Sequence, residues 1–198
     1  MTASTSALYG LGTLAPVSDQ PINLSSGLPT TVVPAAEGRF ARKSCMHCLE
    51  PSCVSACLVG GITKTTEGPV VYDPSKCIGC RYCMLACPFH VPRYDWDRTA
   101  PYVRKCSMCF ERLEQGQLPA CVEACPNDAM RFGERDELLA SAHETLQRHP
   151  DRYLPRVWGE NEFGGTSVLF ISDVDLSPVG WPQQSAAPIP SLTDPLIH

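Results

Sequence analysis

Cysteine spacing constrains this chain more than any other feature. All twelve cysteines lie between Cys45 and Cys125, and the rest of the 198-residue sequence has none. They fall into three groups of four. The first is Cys45-x2-Cys48-x4-Cys53-x3-Cys57. The second is Cys77-x2-Cys80-x2-Cys83-x3-Cys87, followed by Pro88. The third is Cys106-x2-Cys109-x11-Cys121-x3-Cys125, followed by Pro126. Cysteine this concentrated builds binding sites rather than a core, and the fold must be organised around it.

The spacing of the second group is the run that wraps iron–sulfur clusters, whose fourth cysteine ligates the other cluster of a pair. The reason is reach. Three cysteines within seven residues let one tight loop cover three corners of a cubane, and a helix then carries the fourth away. Such a run needs a facing partner, and the first group supplies it. One [4Fe-4S] cluster is therefore expected on Cys45, Cys48, Cys53 and Cys87, and another on Cys77, Cys80, Cys83 and Cys57. Gly79 keeps the loop backbone open where a side chain would crowd N–H groups that bond cluster sulfur. Ile78 and Leu85 are expected to give apolar cover. Leu58 follows Cys57 where a proline is expected, which leaves the ligands intact.

Two other uses of cysteine compete. A disulfide framework fits the even count but belongs to small domains with cysteines spread through them. Structural zinc fits paired C-x2-C units. It has no use for a C-x2-C-x2-C triplet, but for Cys106, Cys109, Cys121 and Cys125 it is a real rival to a third cluster. His47 and His90 adjoin the cysteines and are read as surface or supporting groups rather than ligands. His143 and His149 are read as solvated. Met46, Met84 and Met108 should pack against the sites, and Phe89, Tyr94 and Trp96 should form a small core or an interface. No residue reads as catalytic, so the chain is not expected to be an enzyme by itself.

Charge sharpens this reading. The protein carries a net charge of −5, which argues against general nucleic-acid binding. Residues 39–112 nevertheless hold eleven Lys/Arg against six acids, so the cysteine-rich centre is basic inside an acidic protein. A cubane with four thiolates carries about −2 when oxidised, and that basic stretch would offset it. No apolar run approaches the roughly 20 residues of a membrane helix.

Residues 1–38 are rich in Pro, Ser, Thr and Gly and read as an extended arm or a disordered lead-in. Ala7–Val17 also has the look of an export-signal apolar stretch without its basic front, which would make Met1 internal. Within the expected cluster-binding region 39–133, the halves run about 39–67 and 68–98, and the third cysteine lobe covers 99–133. Ile62–Thr65 and Val70–Tyr72 flank Glu67 and Gly68 as a hairpin. Tyr94–Trp96 and Tyr102–Lys105 form a second short pair, and Met130–Phe132 is a strand. Residues 134–171 hold one amphipathic helix, Arg135–Gln147, with Leu138, Leu139, Ala142 and Leu146 on one face and Pro150 beyond it. Val168–Ile171 is a last strand, and the Pro-rich tail 172–198 is expected to be extended.

With these residues in hand, the chain resembles the ferredoxin-type iron–sulfur subunits of membrane-bound respiratory oxidoreductases. Formate dehydrogenase, dimethyl sulfoxide reductase and nitrate reductase have such subunits, and the respiratory nickel–iron hydrogenases provide the nearest likeness. The stretches that carry it are KSCMHCLEPSCVSAC, VVYDPSKCIGCRYCMLACPFHVPRYDWD, RKCSMCFERLEQGQLPACVEACPNDAMRFGERDELL and VWGENEFGGTSVLF. The resemblance implies an α+β, ferredoxin-like two-cluster core with pseudo-two-fold halves and a third cysteine lobe. It implies electron transfer between a catalytic subunit, hydrogenase-like or molybdopterin-type, and an integral membrane, quinone-reactive subunit. A soluble ferredoxin for a cytoplasmic enzyme and a zinc-stabilised interaction module are the alternatives. The implied location is peripheral to a bacterial cytoplasmic membrane, on the periplasmic side rather than the cytoplasmic. The family has a further N-terminal cysteine group, which this sequence lacks. That group pairs with the one matching Cys106, Cys109, Cys121 and Cys125, which implies that these four are divided between two clusters.

Overall fold

A computed structural model describes residues 5–10, 23–98, 102–181 and 186–192, the first of these as backbone only. The chain is a mixed α/β protein with short elements. Its strands and helices follow in the order β1 (Thr5–Gly10), β2 (Thr31–Ala36), β3 (Arg39–Lys43), α1 (Ser52–Ser55), β4 (Ile62–Lys64), β5 (Val70–Tyr72), α2 (Tyr82–Ala86), β6 (Arg93–Tyr94), β7 (Val103–Arg104), α3 (Phe110–Leu113), α4 (Ala120–Glu123), β8 (Met130–Glu134), α5 (Arg135–Arg148) and β9 (Val168–Ile171). Single 3₁₀ turns occur at Glu162–Gly164 and Ser177–Val179.

Three two-stranded antiparallel hairpins, β2–β3, β4–β5 and β6–β7, accompany one three-stranded sheet of order β8-β1-β9. The β4–β5 hairpin turns at Gly68, whose φ of 111° suits glycine. Helix α5 starts with Asp136 and Glu137 in its first turn, where carboxylates favour the helix dipole. It buries Leu138 and Ala142 against Val157, Leu169 and Ile171. Pro150 closes it, because proline lacks the N–H a further turn needs.

The arm expected over 1–38 is a correction. β1 runs between β8, antiparallel, and β9, parallel, and β2 pairs with β3 so that a boundary at residue 39 cuts a hairpin. Pro34 misled the reading. It sits where the β2–β3 register shifts, a place that tolerates a missing donor. The export-signal reading of Ala7–Val17 falls mostly outside the described residues. The tail is a second correction. Leu176 is fully buried, and Trp181 packs edge-on to Phe170 at 5.0 Å and Phe89 at 5.6 Å. A few large apolar anchors fix this Pro-containing segment. The remainder, 182–198, is described only at 186–192.

Candidate metal centre

The first cysteine loop leaves β3 and is clamped by the approach to β9. Leu49 N–H donates to Gly165 O at 3.0 Å, Ser167 N–H to His47 O at 3.1 Å and Val168 N–H to Met46 O at 3.2 Å. Cys48 and Thr166 form an isolated β-bridge. Gly159 and Gly165 make this clamp possible. A Cβ on Gly159 would come within 2.4 Å of Val168 O. Glu162 braces the turn by accepting from Gly159 N–H at 2.7 Å and from Arg156 at 2.5 Å.

Cys53 lies in α1 and Cys87 caps α2, and the two helices pack together, with Ser52 Oγ donating to Ala86 O at 2.7 Å. Burial pushes the Cys48 thiol well up. The neighbouring sulfurs of Cys45, Cys87 and Cys53 raise it further, against Lys64. Cys53 is pushed up to about 12 by burial and then by Cys45 and Cys87. Cys45, Cys48, Cys53 and Cys87 thus share one buried neighbourhood.

Cys83 is pushed up to about 11 by burial and then by Cys57, Cys77 and Cys80. These four line one cleft together with Tyr72. Burial raises the Cys57 thiol, but the N–H groups of Ile62, Val59, Gly61 and Gly60 outweigh it and draw the thiol down. The Gly61 N–H donates to Cys57 Sγ at 3.2 Å. Gly79 has φ 74°, and a Cβ there would meet Tyr94 Oη at 2.7 Å. Of the expected apolar cover, Ile78 lines this cleft although it is 64% exposed, whereas Leu85 is 81% exposed and is not among the residues lining it.

Cys106, Cys109 and Cys121 line a cavity of about 280 Å³ with Arg42, Lys105 and Cys45. Cys125 follows the end of α4 and is not among the residues lining it. Arg42 Nη1 donates to Cys121 Sγ at 3.1 Å, and Met108 N–H donates to Cys106 Sγ at 3.3 Å. Burial raises the Cys106 thiol, against Arg42 and Met108 N–H, while Cys45 raises it further. The first group thus adjoins both others: Cys53 and Cys83 share one buried apolar cluster, and Cys45 and Cys106 line one cavity.

The reading of His47 as a surface or supporting group missed how deeply it is buried, since it is only 1% exposed. Its Nδ1 accepts from Val70 N–H at 2.8 Å, which puts the proton of the neutral ring on Nε2. That Nε2 is buried and has no hydrogen-bond partner among the described residues. Burial, then Lys105, Lys64 and Arg42, hold the ring well below the usual histidine range. His90 is exposed. Lys64 and Lys105 were legible only as part of the basic stretch. Lys64 Nζ donates to His47 O and Ser167 Oγ, and Lys105 Nζ to Val70 O and Cys106 O. Carbonyls and a hydroxyl, rather than carboxylates, hold these partly buried ammonium groups. Burial draws Lys64 down to about 8, while the sulfurs of Cys48 and Cys45 raise it.

The donor set fits a large anionic group better than a single ion. All twelve cysteines are free of disulfides. Four thiolates on one zinc at Zn–S about 2.3 Å stand close together. Among the described residues no three His, Cys, Asp or Glu converge to hold one metal ion. Also among the described residues, no helix is long and apolar enough to cross a membrane.

Comparison with known proteins agrees with this chemistry. A protein of Nitratidesulfovibrio vulgaris is 48% identical over 142 residues, covering 71% of this chain and 38% of that protein. The hydrogenase-2 operon protein HybA of Escherichia coli O157:H7 is 40% identical over 161 residues, covering 68% of this chain and 49% of its own length. The formate dehydrogenase iron-sulfur subunit of Haemophilus influenzae is 37% identical over 138 residues, covering 68% of this chain and 44% of that subunit. The chain thus spans half or less of the length of these relatives. The 4Fe-4S dicluster domain matches residues 36–135, half of the sequence and all twelve cysteines, and the chain belongs to that iron–sulfur family.

Proposed function

We propose that the chain is an inter-subunit electron carrier, not itself catalytic, in a respiratory oxidoreductase. The observation that carries this reading is the crossing of the cysteine groups. Cys87 of the second group neighbours Cys45, Cys48 and Cys53, while Cys57 of the first neighbours Cys77, Cys80 and Cys83. Those two sets are the ligands of two [4Fe-4S] clusters in a ferredoxin-like core, and a further site lies at the third group. Bound clusters supply one-electron redox chemistry. The chain's part is to hold them in order, shield the middle one from water and offset their negative charge. Lys64, Lys105 and Arg42 are placed for the last task.

The sequence contacts of the sites support a linear path, with the quartet of Cys45 in the middle. A catalytic subunit, hydrogenase-like or molybdopterin-type, stands at one end of that path. A quinone-reactive membrane subunit stands at the other, with the chain peripheral to the bilayer on its periplasmic side. The names of the hydrogenase and formate dehydrogenase relatives support this class of partner. Iron and acid-labile sulfide analysis, with electron paramagnetic resonance of the reduced chain, tests the proposal. At least about eight irons per chain and two interacting reduced clusters are expected. A zinc-loaded chain without sulfide would overturn it.

A further inference from the structure

The three cysteine loops share one turn. The residue before the second cysteine is left-handed at His47, Gly79 and Met108 alike, with φ 47°, 74° and 56°. The first and third loops also go on alike. Pro51 O accepts from the N–H groups of Val54 and Ser55, and Pro119 O accepts from those of Val122 and Glu123. A left-handed backbone strains any residue that carries a Cβ, and glycine or methionine serves the same turn elsewhere. The turn by itself therefore gives no reason for a histidine at 47.

The hydrogen bonds of the ring give half of a reason. Nδ1 accepts from Val70 N–H at 2.8 Å, at the start of β5. Val70 O accepts in turn from Lys105 Nζ, which also donates to Cys106 O at 3.0 Å. Three bonds thus tie the ring to the third cysteine group. A ring that accepts at Nδ1 carries its proton on Nε2. That Nε2 is buried, and neither an oxygen nor a sulfur among the described residues accepts from it. A buried donor left unmet bears the full cost of its lost hydration, and holding Val70 does not explain that cost.

The cavity beside the ring does. His47 borders the space of about 280 Å³ that cysteines of the third group also line. The other buried side-chain atoms without a partner among the described residues belong to Thr65, Trp158 and Asp173, which do not border it. Its wall is cationic and rich in donors. Arg42 and Lys105 line it, no Asp or Glu does, and Arg42 Nη1 donates to Cys121 Sγ at 3.1 Å. Such a wall suits an occupant that accepts hydrogen bonds and carries negative charge, as the sulfurs of a thiolate-bound cluster do.

We infer that His47 Nε2–H donates to a sulfur of the iron–sulfur cluster held at the third cysteine group, so that a residue of the first loop raises the reduction potential of the third site. This rests on the reading of the cysteine groups as iron–sulfur sites. His47 is a positioning residue. It ligates no iron, Val70 fixes its ring, and its N–H favours the more negative, reduced state of the cluster.

The test uses the full chain with 15N-labelled histidine, reconstituted without oxygen from ferrous iron and sulfide. The third cluster is the spectral component that Cys109→Ala removes. Pulsed electron paramagnetic resonance of the reduced native chain should show a weak 15N coupling on that component. His47→Gln should lose the coupling and keep its iron. In potentiometric titration the third cluster of His47→Met should be about tenfold harder to reduce, a fall of about 59 mV for one electron, with smaller changes at the other two. His47→Gln should recover most of that fall, because one amide both accepts from Val70 N–H and donates into the cavity. The labelled native chain decides the matter even where His47→Met holds no iron. A native chain without the coupling would overturn the inference and assign the proton to water. A coupling on a component that survives Cys109→Ala would overturn it in favour of the buried quartet. Equal midpoints in His47→Met and the native chain, or zinc in place of iron at the third group, would overturn it too. Each of those results leaves two reduced clusters in the spectrum and the electron-carrier reading intact. A chain that takes up no iron or sulfide would overturn both.

Discussion

The quartet of Cys45, Cys48, Cys53 and Cys87 and that of Cys57, Cys77, Cys80 and Cys83 use similar loops in opposite surroundings. The first is clamped by the β9 approach and lies among buried Met46, Phe89 and Trp158. The second sits at a surface bearing Leu58, Ile78, Tyr82 and Leu85, all half or more exposed. The protonated thiols register part of the difference. Burial is the leading cause of the rise at Cys48 and Cys53, and also at Cys83 of the second quartet, while backbone N–H groups prevail at Cys57.

The largest expected effect comes from breaking the buried site. Cys48→Ser should cost about four irons per chain and the cooperative unfolding of the loaded protein, because the clamp then encloses an empty, polar hole. Cys80→Ser should cost similar iron but leave most of the unfolding transition in place. Iron analysis with a thermal melt separates the two, and equal melts would erase the distinction. Cys87→Ser sharpens the comparison from the other side. It should remove the spectrum of the buried cluster and spare that of its own loop, and the reverse result would undo the crossing.

Lys64→Met should act on the buried centre alone. A unit charge about 8 Å away in a medium of effective dielectric about 20 is worth about 2 kcal/mol, or on the order of 90 mV for one electron. Potentiometric titration should find the midpoint of the buried cluster lowered by that order and that of the rim cluster little changed. Gly79→Ala tests the rim loop. Left-handed backbone costs a residue with a Cβ about 1–2 kcal/mol, and the new methyl must also displace Tyr94 Oη. A loss of about 1–2 kcal/mol in denaturant unfolding is expected. Gly116→Ala, equally left-handed at φ 71° but in open space, should lose less. The smallest effect belongs to Leu85→Ser. At 81% exposure it should change stability by less than about 0.5 kcal/mol. A large loss there would mean that the rim is packed after all.

Regular local patterns were legible before the structure. The turn at Gly68, the apolar stripe of α5 and the strand Val168–Ile171 each follow from periodicity and stop signals over a few residues. The proposed place of Cys87 with the first group also starts from the spacing, because a run of three leaves its fourth cysteine over. What local pattern could not give was set by distant partners. Thr5–Gly10 is a strand because β8 and β9 flank it. Trp181 is an anchor because Phe89 and Phe170 leave it a place. His47 was open between a surface and a supporting group because nothing in its own neighbourhood announces Val70 N–H, Lys64 and Lys105. The x11 gap hid the likeness of the third group to the first, since its extra residues form α3 and the turn at Gly116.

The clamp on the first cysteine loop also imposes an order in time. Thr166, Ser167 and Val168 lie more than a hundred residues after Met46, His47 and Cys48, which they hold. On a ribosome the eight cysteines of the two quartets emerge well before the segment that closes over half of them. Until that segment is made, the hydrogen bonds that hold the inner loop have no partner. A chain stopped before Trp158 would never form them, and would surrender the iron of its inner cluster to a chelator as readily as that of its outer one.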